Sequence, residues 1–236
     1  MGVSGIRKMK YYLYKYKIHR FLAKDKLNFF GHLGGLSEWI DNNRDLDFST
    51  FPIKNFDYSE RYKLYEHVLR NEVKNESIDY LEFGVAKGLS FKWWVENAKN
   101  PDSLFYGFDT FTGLPEDWGG FKKGDMSTGN EPPKIDGSRH SFYQGLFQDT
   151  LADFLKTYES DKKKIIHLDA DLYSSTLFVL ASLTPFLNKG DILMFDEFNV
   201  PMHEFKAFTE WANSFYINYK TIAEVNNYFQ VAMRVE

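Results

Sequence analysis

The chain of 236 residues has the length of one α/β domain with a short appendage, and its hydrophobic fraction of 43% is sufficient for a full core. It contains no cysteine, which excludes disulfides, zinc–thiolate sites and thiol nucleophiles. No stretch approaches the roughly 20 apolar residues of a membrane span, and basic residues interrupt the N-terminus too often for a secretory signal, so we expect a cytoplasmic protein.

The charge is unevenly distributed along the chain. The first thirty residues hold eight Lys or Arg and one acid, Asp25, so this part carries +7 and the rest of the chain −11, given a total of −4. An acidic body argues against nucleic-acid binding. The basic part is rich in Tyr and Phe, and apolar residues at positions 6, 9, 13 and 16 fit a helical stripe. Two interpretations are open: weak contact with an anionic membrane surface, or docking on the domain or on a second copy in a homodimer.

Helical periodicity predicts a helix over about residues 5–22, whereas glycines and a proline predict irregular chain over 28–55. We therefore divide the chain into an N-terminal extension, residues 1–55, and an α/β domain, residues 56–236. Helices are predicted in the second part at about 58–74, 89–99, 150–158, 173–187 and 205–215, and strands at about 79–83, 104–109, 141–146, 164–168 and 192–195, before a hairpin of 216–225 with 228–235.

This alternation predicts a Rossmann-like α/β fold, with a mostly parallel seven-stranded sheet, helices on both faces and an antiparallel strand from the C-terminal hairpin. Residues 113–137 are rich in Gly, Pro, Asp and Lys and show no periodicity. A loop of this length that leaves the ligand-binding edge of a sheet is typical of a lid, and plain disorder is the alternative.

The turn Glu82-Phe-Gly-Val-Ala-Lys-Gly88 lies between a predicted strand and a predicted helix. Such a junction holds nucleotide-like cofactors in α/β sheets. The turn lacks the third glycine of a dinucleotide fingerprint, which favours a cofactor without phosphates that has an amino-acid end and a ribose. Asp109 follows Glu82 by 27 positions and Gly88 by 21, near the roughly 20-residue offset at which an acid binds ribose hydroxyls.

Four more carboxylates follow two later strands: Asp169, Asp171, Asp196 and Glu197. Adjacent strands lie about 4.8 Å apart, so these groups are expected to share a small volume. Hard oxygen ligands without His or Cys indicate Mg²⁺, Ca²⁺ or Mn²⁺. The alternative is that Asp171 and Asp196 cap helices.

Four segments together resemble the macrocin O-methyltransferase (TylF-like) family of class I S-adenosylmethionine (SAM) methyltransferases. A short stretch at Gly145–Leu151 adds to the resemblance, which runs from about residue 60 to the C-terminus. The four segments are Tyr80–Gly88, Tyr106–Pro115, Ile166–Thr176 and Gly190–Glu197.

The resemblance implies a SAM-dependent O-methyltransferase that transfers a methyl group to a hydroxyl of a sugar or glycosylated small molecule, with help from Mg²⁺. It implies Asp171 as the base, Asp171, Asp196 and Glu197 as metal ligands, and His203 as a substrate-pocket residue. The family usually has two aspartates at the last pair, so Glu197 departs from its pattern. The implied cofactor-binding residues are Glu82, Gly84, Val85, Gly88, Ser90, Asp109, Thr110, Phe111, Gly145, Phe147, Gln148 and Asp169.

Two other functions stay open at this point. One is a metal-independent methyltransferase that acts on a phenol or an amine. The other is a SAM-binding adaptor without turnover, although such a protein has no use for a cluster of mutually repelling acids.

Overall fold

The computed structural model describes residues 3–236. Two helices precede the domain, α1 (Val3–Lys15) and α2 (Lys24–Asn42), and a short 3-10 helix (Ile18–Phe21) lies between them. The single helix predicted over residues 5–22 is therefore interrupted, because Lys17 adopts a left-handed φ of 51°.

The prediction of irregular chain from residue 28 was wrong up to residue 42, where α2 ends. Leu36 is buried, and Trp39 and Ile40 pack against the domain core. This packing stabilises the second half of α2 despite the low helix propensity of its glycines.

The remaining elements alternate as the sequence predicts, within a few residues at their ends. In chain order they are β1 (Phe48–Ser49), a 3-10 turn (Tyr58–Glu60), α3 (Arg61–Val68) with a π-helical end (Leu69–Val73), β2 (Ile78–Phe83), α4 (Leu89–Asn97), β3 (Leu104–Asp109), β4 (His140–Gln144), α5 (Phe147–Leu155), β5 (Lys163–Leu168), α6 (Tyr173–Leu183), a 3-10 turn (Thr184–Phe186), β6 (Ile192–Phe195), α7 (Glu204–Ser214), β7 (Tyr219–Val225) and β8 (Gln230–Val235).

One sheet carries all eight strands, in the order β1-β7-β8-β6-β5-β2-β3-β4. Every neighbouring pair is parallel except those of β8, which runs antiparallel to both β6 and β7. The predicted mostly parallel Rossmann-like sheet with a C-terminal hairpin is confirmed. The sequence predicts seven strands. The eighth is the two-residue strand β1, which comes from the segment before the domain.

Both faces of the sheet are covered, so the core has two layers. Side chains that alternate along each strand supply both: Leu81 and Phe83 of β2 belong to one cluster, and Ile78 and Tyr80 to the other. Helices α2, α5, α6 and α7 pack on the first face, and α3 and α4 on the second. None of the helices within residues 3–236 combines the length and apolar character needed to cross a bilayer.

A buried carboxylate fastens the segment after β1 to the C-terminal hairpin. Glu224 accepts hydrogen bonds from the backbone N–H groups of Thr50 and Phe51 at 2.7 Å, from the Ser49 hydroxyl at 2.6 Å and from the Tyr228 N–H at 2.8 Å. These bonds fix the start of the segment that leads to Tyr58.

Candidate active site

The strand registers bring the predicted site residues to one edge of the sheet. Phe83 pairs with Leu168, and Leu168 pairs with Phe195. The residues that directly follow Phe83, Leu168 and Phe195 are Gly84, Asp169 and Asp196, so these three lie side by side at the carboxyl edge. The chain turns in opposite directions from β2 and β5, which makes this position the switch point where α/β sheets bind ligands.

The turn after β2 requires its first glycine for steric reasons. Gly84 has a φ of 96°, and a Cβ atom there would overlap the backbone oxygen of Asp169. Gly88 also has a positive φ, 72°. A Cβ atom added there would lie 2.6 Å from the side chain of Pro133, which belongs to the 113–137 loop. At Gly88 the close approach is therefore made by the protein's own loop.

Glu82 is fully buried beneath the turn. Its carboxylate accepts hydrogen bonds from the Tyr80 hydroxyl and, at 2.6 Å, from the Ser90 hydroxyl. The Nδ1 atom of His167 lies 3.6 Å from it. Glu82, Ser90 and the buried Val85 thus form the support of the turn rather than the wall of the cavity beside it.

Asp109 organises the other side of the site. One carboxylate oxygen accepts a hydrogen bond from the Ala86 N–H at 2.7 Å, and the other accepts from the Phe111 N–H at 2.6 Å. Phe111 itself is buried with a φ of 55°. The carboxylate therefore joins the turns that follow β2 and β3.

A cavity of about 530 Å³ opens at this edge. This volume is in the range that holds a small molecule or cofactor. Its lining includes residues that follow the strands: Gly84, Asp109, Thr110, Phe147, Gln148 and Asp169. Asp171 and Glu197 lie at its inner end. The 113–137 loop contributes Leu114, Pro115, Glu116 and Met126.

The 113–137 loop has an ordered path across this cavity. The Gly124 N–H donates to the Leu114 oxygen at 2.9 Å, the Thr128 N–H donates to the Phe111 oxygen at 3.1 Å, and the rings of Trp118 and Phe121 stack. The loop forms one wall of the cavity, which is the position a lid requires.

Acidic groups at the inner end raise one another's pKa values. Burial and the neighbouring Asp196 raise the pKa of Asp171 to about 6, although a hydrogen bond with Glu197 opposes the shift. Burial, Asp171 and Asp196 raise the pKa of Glu197 to about 9. Burial, followed by the charges of Asp196 and Asp171, also raises the pKa of Asp169 well above its usual range. Such shifts are common at functional sites.

Asp196 is held differently from its neighbours. It is completely buried, the Tyr58 hydroxyl donates to its Oδ2 atom, and the Arg61 guanidinium lies 3.8 Å from the same atom. The ring of Tyr58 also lies 4.1 Å from the guanidinium carbon of Arg61, so the two side chains form one cover over Asp196. Its Oδ1 atom has no hydrogen-bond partner.

We tested whether these carboxylates suit a divalent cation. Within residues 3–236, no group of three His, Cys, Asp or Glu side chains has an arrangement that could hold a metal ion. Asp171 and Glu197 supply hard oxygen ligands that line the cavity, and the buried Oε2 atom of Glu197 has no hydrogen-bond partner. Asp171 and Glu197 fit a cation as a pair, whereas Asp196 is engaged by Tyr58 and Arg61.

Two predicted residues lie at the margin of the site. His203 precedes α7, packs edge-on against Trp118 with ring centroids 6.2 Å apart, and does not line the cavity. Burial lowers its pKa. Gly145, with a φ of 147°, donates its N–H to the Asp109 backbone oxygen and thereby positions the Phe147–Gln148 wall.

Tyr58 and Arg61 were not predicted from the sequence. Tyr58 lies in the 3-10 turn before α3 and Arg61 is the first residue of α3, 138 and 135 positions before Asp196, and no local pattern marks them. Ser174 and Ser175, at the start of α6, also line the cavity. They belong to the segment Ile166–Thr176 that carries part of the family resemblance, which was the available signal.

Comparison with known proteins identifies the family of the chain. The family described as "Methyltransferase domain" (Methyltransf_24) matches residues 81–198, half of the chain, and the chain belongs to this family. The matched segment runs from β2 to just beyond Glu197 and includes the cavity's glycine turn and carboxylates. A comparison with curated proteins found no match.

Several solved structures share the fold. The calicheamicin methyltransferase CalS11 aligns with a TM-score of 0.57 at 19% identity, over 87% of this chain and 91% of its own. The O-methyltransferase NovP aligns with a TM-score of 0.55 at 20% identity, over 75% of this chain and 78% of its own. A structure described as "cmcI-D160 Mg-SAM" aligns with a TM-score of 0.52 at 20% identity, over 85% of this chain and 84% of its own. At these identities the likeness establishes the fold.

Proposed function

We propose that the protein is a SAM-dependent O-methyltransferase that acts on a hydroxyl of a sugar or glycosylated small molecule. The observation that carries the proposal is the cavity at the switch point, which has the glycine turn and Asp109 on one side and the Asp171–Glu197 pair at its inner end. The similar structures CalS11 and NovP are both described as methyltransferases, and CalS11 also as a TDP-rhamnose 3'-O-methyltransferase, which supports a sugar acceptor.

In this proposal SAM lies along the turns after β2 and β3. Asp109 accepts hydrogen bonds from the ribose hydroxyls, and Phe147 and Gln148 border the adenine. Glu82 acts from beneath, because its hydrogen bonds with Tyr80 and Ser90 hold the turn that faces the methionine end. The narrower relation to the macrocin O-methyltransferases remains a prediction based on the sequence motifs.

Asp171 is the proposed general base. In the absence of a cation, burial raises its pKa to about 6, near neutral pH, where a base accepts a proton effectively. As Asp171 takes the hydroxyl proton, the acceptor oxygen bonds to the methyl carbon, and the bond between that carbon and the SAM sulfur breaks to release S-adenosylhomocysteine. Proton transfer of this kind contributes about 10²–10⁴-fold in rate, and alignment of the two substrates adds more.

A divalent cation such as Mg²⁺ is part of the proposal, with Asp171 and Glu197 as the residues that would hold it. When bound, the cation would polarise the acceptor hydroxyl as a Lewis acid. One of the similar structures is described as containing Mg and SAM, which supports the choice of ion.

A second candidate is a metal-independent methyltransferase that acts on a phenol or an amine. It is favoured by the contacts of Asp196, because Tyr58 and Arg61 engage its carboxylate and Asp196 does not line the cavity. A SAM-binding adaptor without turnover is the third candidate, and the acid cluster again speaks against it.

Calorimetric titration with SAM, with Mg²⁺ and again with EDTA, is the first experiment. Saturable micromolar binding is expected in both buffers, and absence of binding would overturn the cofactor assignment. Transfer of labelled methyl groups to sugar and phenol acceptors then separates the candidates. Chelation is expected to abolish transfer to a sugar hydroxyl, while transfer that persists in EDTA would reject the metal-assisted mechanism.

Asp171→Asn tests the proposed base in the same transfer assay. We expect a loss of at least about 100-fold in kcat, with SAM binding retained. Asp153→Asn is the matched control, because the Asp153 side chain is 75% exposed on α5. A kcat for Asp171→Asn within twofold of that of the control would exclude Asp171 as the base.

A further inference from the structure

Helix α1 lies outside the hydrophobic core of the domain. No residue of Val3–Lys15 is buried, and the side chains of Tyr11, Tyr12 and Tyr14 are 55%, 51% and 72% exposed. The helix therefore covers none of the domain's own core, although it is rich in large side chains.

The side chains of α1 and the residue after it are partly sorted by face. At about 100° per residue, one sector holds Ile6, Met9, Tyr12 and Leu13 of α1 and Tyr16 just beyond it, while Tyr11 and Tyr14 lie among the basic positions. The rings of Tyr12 and Tyr16 stack within this sector, with centroids 6.1 Å apart. The basic positions occupy the rest of the circumference: Arg7, Lys8, Lys10 and Lys15.

The cations of this region lack carboxylate partners. In the part of the chain that the structure describes, ion pairs involve Lys and Arg residues from Arg44 onwards, and none of the eight basic residues before residue 30 takes part in one. Their positive charge is therefore available to an external anionic surface.

Helix α2 determines which side of the domain presents this region. A Cβ atom added at Gly35 would lie 3.8 Å from the ring of Phe205. Phe205 is near the start of α7, at the carboxyl edge of the sheet. Further along α2, Trp39 donates to the hydroxyl of Tyr219, the first residue of β7, at 2.8 Å. Because β7 is parallel to β6, α2 runs from the carboxyl edge towards the amino edge. Residues 24–34 therefore continue for about 15 Å of helix length beyond this contact at the carboxyl edge, the edge at which the cavity opens.

The projecting half of α2 continues the exposed apolar surface. Leu27 and Phe30 are 60% and 65% exposed, and Phe21 in the connection between the helices is 86% exposed. Exposed Phe and Leu together with unpaired Lys and Arg are typical of segments that lie in the interface of a membrane.

We propose that α1, the connection and the projecting half of α2, residues 3–34, bind the surface of an anionic lipid membrane. The basic side chains attract the headgroups, and the apolar and aromatic side chains enter the boundary with the acyl chains. A second copy docked through the same residues would bring two segments of like charge together, and a nucleic acid would leave the Phe and Leu side chains in water.

This placement has a consequence for the cavity. Because residues 24–34 project from the carboxyl edge, membrane binding turns the cavity mouth towards the lipid surface. The next step rests on the proposed function. The hydroxyl that accepts the methyl group then belongs to a molecule carried at the lipid surface.

Sedimentation of the full chain with lipid vesicles tests membrane binding without cofactor or acceptor, so its outcome is independent of methyl transfer. We expect binding to vesicles of phosphatidylcholine with phosphatidylglycerol, weak binding to phosphatidylcholine alone, and loss of binding at high salt. The triple variant Lys8→Gln/Lys10→Gln/Lys15→Gln is expected to bind roughly a hundredfold more weakly, since each basic residue near an anionic surface contributes about fivefold.

A matched control is Lys63→Gln/Lys92→Gln/Lys156→Gln, whose lysine side chains are 60%, 57% and 72% exposed on the surface of the domain. It is expected to bind vesicles as the unchanged chain does. Since α1 has no buried side chain, the α1 variant should unfold at the same denaturant midpoint as the parent. The control variant removes three exposed ion pairs of the domain, each worth at most about 1 kcal/mol, and should remain folded in the assay.

Two results would overturn the proposal. The first is absence of vesicle binding; if the α1 variant then dissociates a stable dimer measured by light scattering, the surface belongs to a second copy. The second is equal binding to neutral and anionic vesicles.

Discussion

Replacement of Asp109 by Asn is the sharpest probe of the cofactor side of the cavity. The carboxylate accepts two backbone N–H groups, from Ala86 at 2.7 Å and from Phe111 at 2.6 Å. An amide has one acceptor oxygen, so Asp109→Asn keeps one bond and sets its NH₂ group against the other backbone donor. Loss of a hydrogen bond to a charged group, with a donor left unsatisfied, costs about 1–3 kcal/mol.

This free energy is expected to appear in cofactor binding, because the two donors belong to the turns that border the cavity. A cost of about 1.4–2.8 kcal/mol corresponds to a 10-fold to 100-fold weaker Kd for SAM, measured by calorimetry. Part of the cost is expected as a lower free energy of unfolding without ligand, measured with urea.

The control for this measurement is Asp102→Asn, an exposed carboxylate in the turn before β3. It should leave both the Kd and the unfolding midpoint unchanged. A Kd for Asp109→Asn within twofold of this control, in a variant that is folded under the conditions of the titration, would refute the assignment of Asp109 to the cofactor site.

Three further predictions concern stability. Gly84→Ala is expected to cost at least about 2 kcal/mol in urea unfolding, because the new methyl group overlaps the Asp169 oxygen at a strained positive φ. Glu224→Ala is expected to cost about 3–5 kcal/mol, because it leaves several buried hydrogen-bond donors without their acceptor. Folding raises the pKa of Asp171 from 3.8 to about 6 and that of Glu197 from 4.5 to about 9. Between these values the folded protein holds protons that the unfolded chain releases. The free energy of unfolding without metal should therefore fall as pH rises from about 4 to 9.

Each of these three predictions has a control variant. Gly120→Ala lies in open space at an ordinary φ and should change stability by less than about 0.5 kcal/mol. Glu224→Gln keeps one acceptor oxygen and should cost less than Glu224→Ala. Glu197→Gln should flatten the pH dependence. A free energy of unfolding that rises between pH 5 and 9 would contradict the raised pKa values.

Two side chains near the start of α3 cover the carboxylate of Asp196. Tyr58 lines the cavity and donates to Asp196, and Arg61 lies against both. The segment that carries Tyr58 is tied to the C-terminal hairpin through Glu224 and, near residue 57, through the Asn226 side chain. The cover over Asp196 is therefore held by long-range contacts rather than by α3 alone.

Much of the fold could be predicted from the sequence, because alternation between short apolar runs and amphipathic segments determines the order of strands and helices. That order implies a parallel sheet, and a parallel sheet brings the residue after each strand to one edge. Gly84, Asp109, Asp169 and Glu197 could therefore be assigned to a common site from their positions along the chain alone.

Only the tertiary structure decided which of these carboxylates face the cavity and which face the core. Glu82 and Asp196 follow the same sequence logic as Asp109 and Glu197, yet partners on other elements hold them inside, Ser90 in one case and Tyr58 in the other. The N-terminal region shows the same limit, since α2 forms despite its glycines because its second half packs on the domain. Strand periodicity specifies an edge and a face, but the neighbour that satisfies a buried charge comes from a distant part of the chain, and folding alone brings the two together.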